Sequence, residues 1–250
     1  MFSIKSYNDS YKVDWNNFVD ISKNSTFLFK REFMDYHAEK FEDFSLLIFY
    51  NSDLIALFPC NIRDGEVYSH EGLSYGGVIV KTDLKFLKYL ELFAQLLKYF
   101  DEKSIKKLYI KQIPSIYNSN FNGELDYLSF VTGAKIYRRD IISVIDMQNE
   151  NKISKDRIQG YKRGVKNKLE IKETDDLDDF WNSILIPTLS NRHSVNPVHS
   201  LKDIKKLKKV FNTNIKQFNV YHEDQLVAGT TIFLTKNVAH VQYILSLIHI

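Results

Sequence analysis

Two stretches of the chain carry the hydrophobic and polar alternation of antiparallel strands. Residues 47–50 and 54–58 flank the polar turn Asn51-Ser52-Asp53 and predict a hairpin. After Arg63-Asp64-Gly65 a further extended stretch, 66–70, makes the segment a three-stranded meander. The same grammar returns at 218–221, 226–234 and 238–244, with turns at His222-Glu223-Asp224 and Thr235-Lys236-Asn237. His70 and His240 then fall at equivalent strand positions. Between the meanders the apolar period lengthens to that of helices. Phe86, Leu90, Phe93, Leu97 and Phe100 alternate spacings of four and three, while Lys85, Lys88, Glu91 and Lys98 take the other face. Ser200 and Asp203 form a capping-box pattern ahead of Leu201, Ile204, Leu207 and Phe211. Leu177, Phe180, Trp181, Ile184 and Leu185 predict a helix over 176–189, which Pro187 ends or kinks. Further strands are expected at 105–110 and 141–146.

These elements define a mixed α/β fold whose programme restarts near residue 152, after the polar and featureless run 148–152. The economical explanation is duplication of one α/β unit, with a first domain over 1–148 and a second over 149–250 that stops after its meander. The last six residues, LSLIHI, can be written CTG TCT CTT ATA CAC ATC, the transposase mosaic-end adapter of sequencing libraries. Residues 245–250 are therefore expected to be adapter-derived and the second domain incomplete.

Composition changes this picture little. Among 250 residues, 34 are basic and 31 acidic, a formal charge of +3 that is too small to mark a nucleic-acid binder by bulk electrostatics. Lysine outnumbers arginine 27 to 7 amid many Ile, Asn, Phe and Tyr residues, the signature of an A/T-rich coding sequence. No apolar run approaches the ~18–20 residues of a membrane-spanning helix, and residues 1–15 lack a signal-peptide core. The lone Cys60 has no disulfide partner, so the expected compartment is a reducing cytoplasm. Cys60, Trp15 and Trp181 sit in apolar surroundings and read as buried core.

Particular strings sharpen the reading: FLFKREFMDYHAEKFEDFSLLIF at 27–49, SHEGLSYGGVIV at 69–80, NRHSVNPVHSLKDIKKL at 191–207 and VAGTTIFLTKNVAHVQYI at 227–244. Together with the order of elements, they resemble GNAT-type N-acetyltransferases, specifically a bacterial tandem-GNAT group related to the Fem peptidoglycan aminoacyltransferases. The resemblance covers residues 1–244. It implies acetyl-CoA or another acyl-CoA as co-substrate, no metal, and an amine acceptor such as an amino sugar or cell-envelope precursor. It leaves open an aminoacyl-tRNA-dependent Fem-like peptidyltransferase and a non-catalytic GNAT-like binding module.

Acyl transfer to an amine needs a group that removes a proton from the ammonium, donors for the developing oxyanion, and backbone amides for the donor pyrophosphate. His240, Tyr243 and His70 are the catalytic candidates. By the two-residue strand period His240 and Gln242 share one face, with Ala239, Val241 and Tyr243 on the other, unless a bulge intervenes. Arg192, His193 and His199, around Pro197, are candidates for holding the acceptor, as are Glu71, Tyr75, Gly76 and Gly77 in a loop rich in scarce glycine. For the histidines, a satisfied core position is the rival reading. Arg157, Lys162 and Arg163, in the basic run 155–168, are candidates for phosphate or tRNA contact, against a solvated helix face. His193 and His199 lie six apart on a proline-containing loop without a cysteine partner, which argues against zinc. In the first copy Lys81-Thr82-Asp83-Leu84 stands where a glycine-rich pyrophosphate loop belongs, so that copy is expected to bind acceptor or to act as scaffold. The second-copy loop would follow residue 244, and this chain is expected to bind acyl-CoA poorly and to be inactive by itself.

Overall fold

A computed structural model describes residues 1–247. The chain divides into two compact units, Met1–Thr132 with Leu234–Ala239, and Gly133–Phe233 with the segment that starts at His240.

The first unit contains β1 (Phe2–Ser6), α1 (Lys12–Ile21), α2 (Arg31–Met34), β2 (Glu42–Asp43), β3 (Leu46–Tyr50), β4 (Asp53–Phe58), β5 (Asn61–Arg63), β6 (Glu66–Tyr68), β7 (Ile79–Val80), α3 (Phe86–Glu102), β8 (Leu108–Tyr109) and α4 (Glu124–Val131). The expected hairpin is present as β3 and β4, closed by Asn51 and Ser52 in the left-handed region. It forms one sheet in the order β1-β3-β4-β7. The expected third strand goes elsewhere: β6 pairs with β5 and, in parallel, with β8 in a separate sheet ordered β2-β5-β6-β8. His70 lies beyond the end of β6 with φ +68°, so its strand equivalence to His240 does not hold.

Helix α3 buries Tyr89, Leu92, Phe93, Leu96 and Phe100 against Leu46, Ile48, Ala56 and Phe58 of the first sheet. Phe86, Leu90 and Leu97, expected on that stripe, are exposed at its margin. Apolar residues cover more than half the circumference of this helix, so spacing alone allows neighbouring stripes, and the sheet selects the one that interdigitates. Each such side chain contributes about 1.5–3 kcal/mol on burial. Arg31 of α2 is also buried; its guanidinium reaches Asp35 and Asp43, each at 2.6 Å, and stacks 3.7 Å from the Tyr7 ring centroid. Cys60 and Trp15 are fully buried, as their surroundings predict.

The second unit contains α5 (Lys155–Lys166), β9 (Glu170–Thr174), α6 (Asp178–Phe180), α7 (Ile186–His193), α8 (Leu201–Val210), β10 (Ile215–His222), β11 (Gln225–Leu234) and β12 (Ala239–Ser246). The sheet order is β12-β11-β10-β9. Between α6 and α7 runs a π-helical turn, Trp181–Leu185, in which the Ile186 N–H bonds the Trp181 carbonyl five residues back. Pro187 therefore does not end the helix. It sits at the start of α7, directly after the π-turn, and the helix continues to His193. Residues 141–146 form no strand; their apolar side chains face solvent and no neighbouring strand pairs with them.

The polarity expected of a strand is inverted on β10. Its buried face carries Gln217 and Asn219, whereas Phe218 and Val220 are only half-buried. The Gln217 amide donates to Asn219 Oδ1 at 2.7 Å and its oxygen accepts from Thr231 Oγ1 at 2.7 Å, so this polar ladder satisfies itself inside the unit.

Candidate active site

In the second unit, the start of α8 sets His199. Ser200 caps the helix: its Oγ accepts from the Asp203 N–H at 3.1 Å, and the Asp203 carboxylate accepts from the Ser200 N–H at 3.1 Å. The residue just before this box is thereby fixed, and His199 is buried at 5% exposure. Its backbone N–H donates to the Tyr243 hydroxyl at 3.2 Å, and its Nδ1 lies 2.7 Å from the same oxygen.

Tyr243 is held from two further directions. Its carbonyl accepts from Thr230 Oγ1 at 2.9 Å, and its ring meets Trp181 edge to face at 4.8 Å between centroids. Trp181 stands on the π-turn beside Phe180, and the Phe180 ring lies directly on Gly229 of β11. A Cβ at Gly229 would come within 2.3 Å of that ring, so glycine is what allows the approach. The Trp181 indole is fully buried, and its Nε1 has no hydrogen-bond partner among the described residues.

The strict alternation expected for β12 breaks between Gln242 and Tyr243, which are both half-buried. Gln242 lies beside both groups and acts on both, favouring the charged form of His240 and lowering the Tyr243 pKa. Burial holds the His240 imidazole below its ordinary pKa, partly offset by Gln242, and burial raises the Tyr243 phenol above its own. Near neutral pH the line His240, Gln242, Tyr243, His199 thus presents a neutral imidazole and a protonated phenol. When His199 Nδ1 carries a proton, the Tyr243 oxygen accepts twice and its own O–H is directed to another acceptor. Such a set can take a proton at one end and donate a hydrogen bond at the other.

The other candidates lie apart from this line. Arg192 and His193 are exposed on the last turn of α7, which Ser194 closes with φ +52°. Arg157, Lys162 and Arg163 are exposed on α5. His70, Glu71, Tyr75, Gly76 and Gly77 belong to the first unit. There the His70 ring is buried against His37 and Phe41, at centroid distances of 5.2 and 5.6 Å, and burial lowers its pKa to about 3. Glu71 is pinned by Asn61 Nδ2 at 2.9 Å and Arg63 at 2.7 Å. The Tyr75 hydroxyl donates to Thr26 Oγ1 at 3.0 Å, and burial raises its pKa. Gly76 presses on the Ser69 carbonyl, which a Cβ would meet at 2.0 Å, and Gly77 has φ +108°.

Sequence spacing does not announce the roles of Trp181 and Gln242 at the site. Trp181 shows the apolar helical spacing of any core residue, and only the π-turn turns it toward Tyr243. Gln242 carries a visible signal, a long polar side chain at strand spacing from His240, but its influence on Tyr243 leaves no trace in the residue pattern.

In the first unit the turn ahead of α3 does not fit a donor pyrophosphate. Ahead of α3 the turn contains no glycine, the Lys81 and Leu84 amides already bond Ile55 and Lys81 carbonyls at 3.3 Å, and Asp83 adds negative charge. Among the described residues no group of three or more metal-ligating side chains occurs, and no helix is long and apolar enough to cross a membrane.

No protein-family model and no curated protein matches the chain. Among solved structures, the ribosomal-protein-S18-alanine N-acetyltransferase from Escherichia coli is similar at 12% identity and a TM-score of 0.32, over 43% of this chain and 64% of that one. The chain thus spans less than two thirds of that protein. An aminoglycoside 6'-N-acetyltransferase from Acinetobacter haemolyticus is similar at 15% identity and a TM-score of 0.33, over 61% of this chain and 99% of that one. Superpositions this loose carry no argument for the site, which rests on its own geometry.

Proposed function

We propose that the chain belongs to a tandem-GNAT, Fem-like acyltransferase that moves an acetyl or related acyl group from acyl-CoA to an amine, with an amino sugar or cell-envelope precursor as acceptor. The observation that carries this reading is the Tyr243 hydroxyl held 2.7 Å from His199 Nδ1, on the same strand as the half-buried His240. An amine is an ammonium near neutral pH and must lose a proton to attack. His240 takes that proton, which its depressed pKa permits from mildly acidic pH upward. Tyr243, oriented by His199, offers its O–H to the negative charge that develops on the acyl oxygen. No step is assigned to the nucleotide part of the donor.

The test is acetylation of amino sugars, followed by thiol release, with the protein and its His240→Gln and Tyr243→Phe variants. Loss of the base is expected to lower kcat/KM about 10²- to 10⁴-fold, and the wild-type acidic limb to fall below the ordinary histidine pKa. Wild-type rates in both variants would remove these residues from the chemistry. Turnover that requires aminoacyl-tRNA would favour the peptidyltransferase reading, and absence of any turnover the binding-module reading.

A further inference from the structure

Helix α5 is basic and solvent-facing along its whole length. Ser154 caps it, its Oγ accepting from the Arg157 N–H at 3.4 Å, and no residue of the helix is buried. Between residues 155 and 168 six basic side chains face one acid, Asp156. That surplus of five exceeds the +3 of the whole chain, so the remaining residues carry a net charge of −2.

The charges are not spread evenly. At 100° per residue, Ile158, Tyr161 and Val165 form one stripe, exposed at 40, 74 and 59%. Lys155, Lys162 and Lys166 run along one border of the stripe and Arg157 along the other. The apolar exposure continues upstream through Ile141, Ile145, Met147 and Ile153. A polyanion such as RNA is gripped by charge and gains nothing from exposed isoleucine and valine. An anionic bilayer uses both features: phosphate headgroups attract the basic border, and the acyl boundary accepts the stripe, with tyrosine favoured at that depth.

We propose that α5 docks the chain reversibly on an anionic phospholipid surface, lying flat with Ile158, Tyr161 and Val165 at the headgroup–acyl boundary. The inference is independent of the reaction at Tyr243. A shallow amphipathic helix of this kind binds by summing apolar insertion and headgroup attraction, so removal of either component weakens it.

The experiment is flotation of the full chain with phosphatidylcholine vesicles, with and without phosphatidylglycerol, alongside a gel-shift assay with RNA. Binding is expected only to the anionic vesicles and to weaken with salt. Lys162→Gln with Lys166→Gln is expected to reduce it about 25-fold, at about fivefold per charge. Ile158→Ser with Tyr161→Ser is expected to reduce it at least about tenfold with charge unchanged. All four positions are exposed, and circular dichroism checks that the variants keep their helix content. Absence of binding to anionic vesicles overturns the proposal. So does wild-type vesicle binding by the Ile158/Tyr161 variant, and so does RNA binding that anionic vesicles fail to displace.

Discussion

The seat of Phe180 on Gly229 sets the depth of the π-turn and hence the position of Trp181 against Tyr243, and it can be perturbed by one methyl group. In Gly229→Ala the new Cβ would lie 2.3, 2.7 and 2.9 Å from three atoms of the Phe180 ring. Ordinary carbon contacts are about 3.5–4.0 Å, so the ring must retreat by more than about 1 Å. Phe180 is fully buried. Overpacking of this size costs about 1–3 kcal/mol, and the stiffer unfolded backbone returns about 0.4–1 kcal/mol. The net expectation is a loss of about 1–2 kcal/mol. Phe180→Ala alone should cost about 3–5 kcal/mol through the cavity it leaves. In that background the added methyl at position 229 occupies part of the void, and Gly229→Ala should become neutral or stabilising. Native-state hydrogen exchange of β10 and β11 peptides reads the second unit without interference from the first. Neutrality of Gly229→Ala, or an equal cost in both backgrounds, would refute the close-approach argument.

Two further outcomes are expected in the first unit. Arg31→Leu leaves Asp35 and Asp43 without their shared guanidinium; because both carboxylates keep about a third of their surface in water, the loss should fall near the lower end of the 3–5 kcal/mol typical of broken buried pairs, read as a shift in urea midpoint. His70 has a folded pKa of about 3, below the 6.5 of the free group, because burial and the neighbouring His37 oppose its charge. The unfolded chain therefore binds the extra proton, and stability that is complete above pH 6.5 should drain away as pH falls toward 3. His70→Asn, which tolerates φ +68°, should flatten that limb of the urea midpoint against pH; an unchanged slope would exclude His70 as its source.

Much of the local structure was legible in the residues. The turn residues Asn51-Ser52 and Glu223-Asp224 announce hairpins that form, and they adopt the left-handed conformations that such turns need. Ser200 and Asp203 announce a helix start that forms with both reciprocal bonds. Tyr243 and His240 were legible as a pair of candidate groups on one strand. His199 was legible only as a loop histidine near Pro197; its bond to Tyr243 joins residues 44 apart in sequence.

Turns, caps and periodicity are short-range effects, governed by backbone sterics and by hydrogen bonds within a few residues, so the sequence by itself determined where the hairpins turn and where α8 begins. Which strands share a sheet was not so determined. β5 and β6 pair with each other but not with β3 and β4; they join β2 and β8 in a separate sheet. The buried face of α3 and the buried amides of β10 were likewise settled by what packs opposite them. Apolar spacing on α3 permits more than one stripe, and a polar side chain on β10 is tolerated inside once Thr231 supplies its partner. The functional line from His240 to His199 belongs to the same class. It depends on a break in strand alternation, a π-turn and a glycine under an aromatic ring, all long-range packing decisions, and only the tertiary structure could make them.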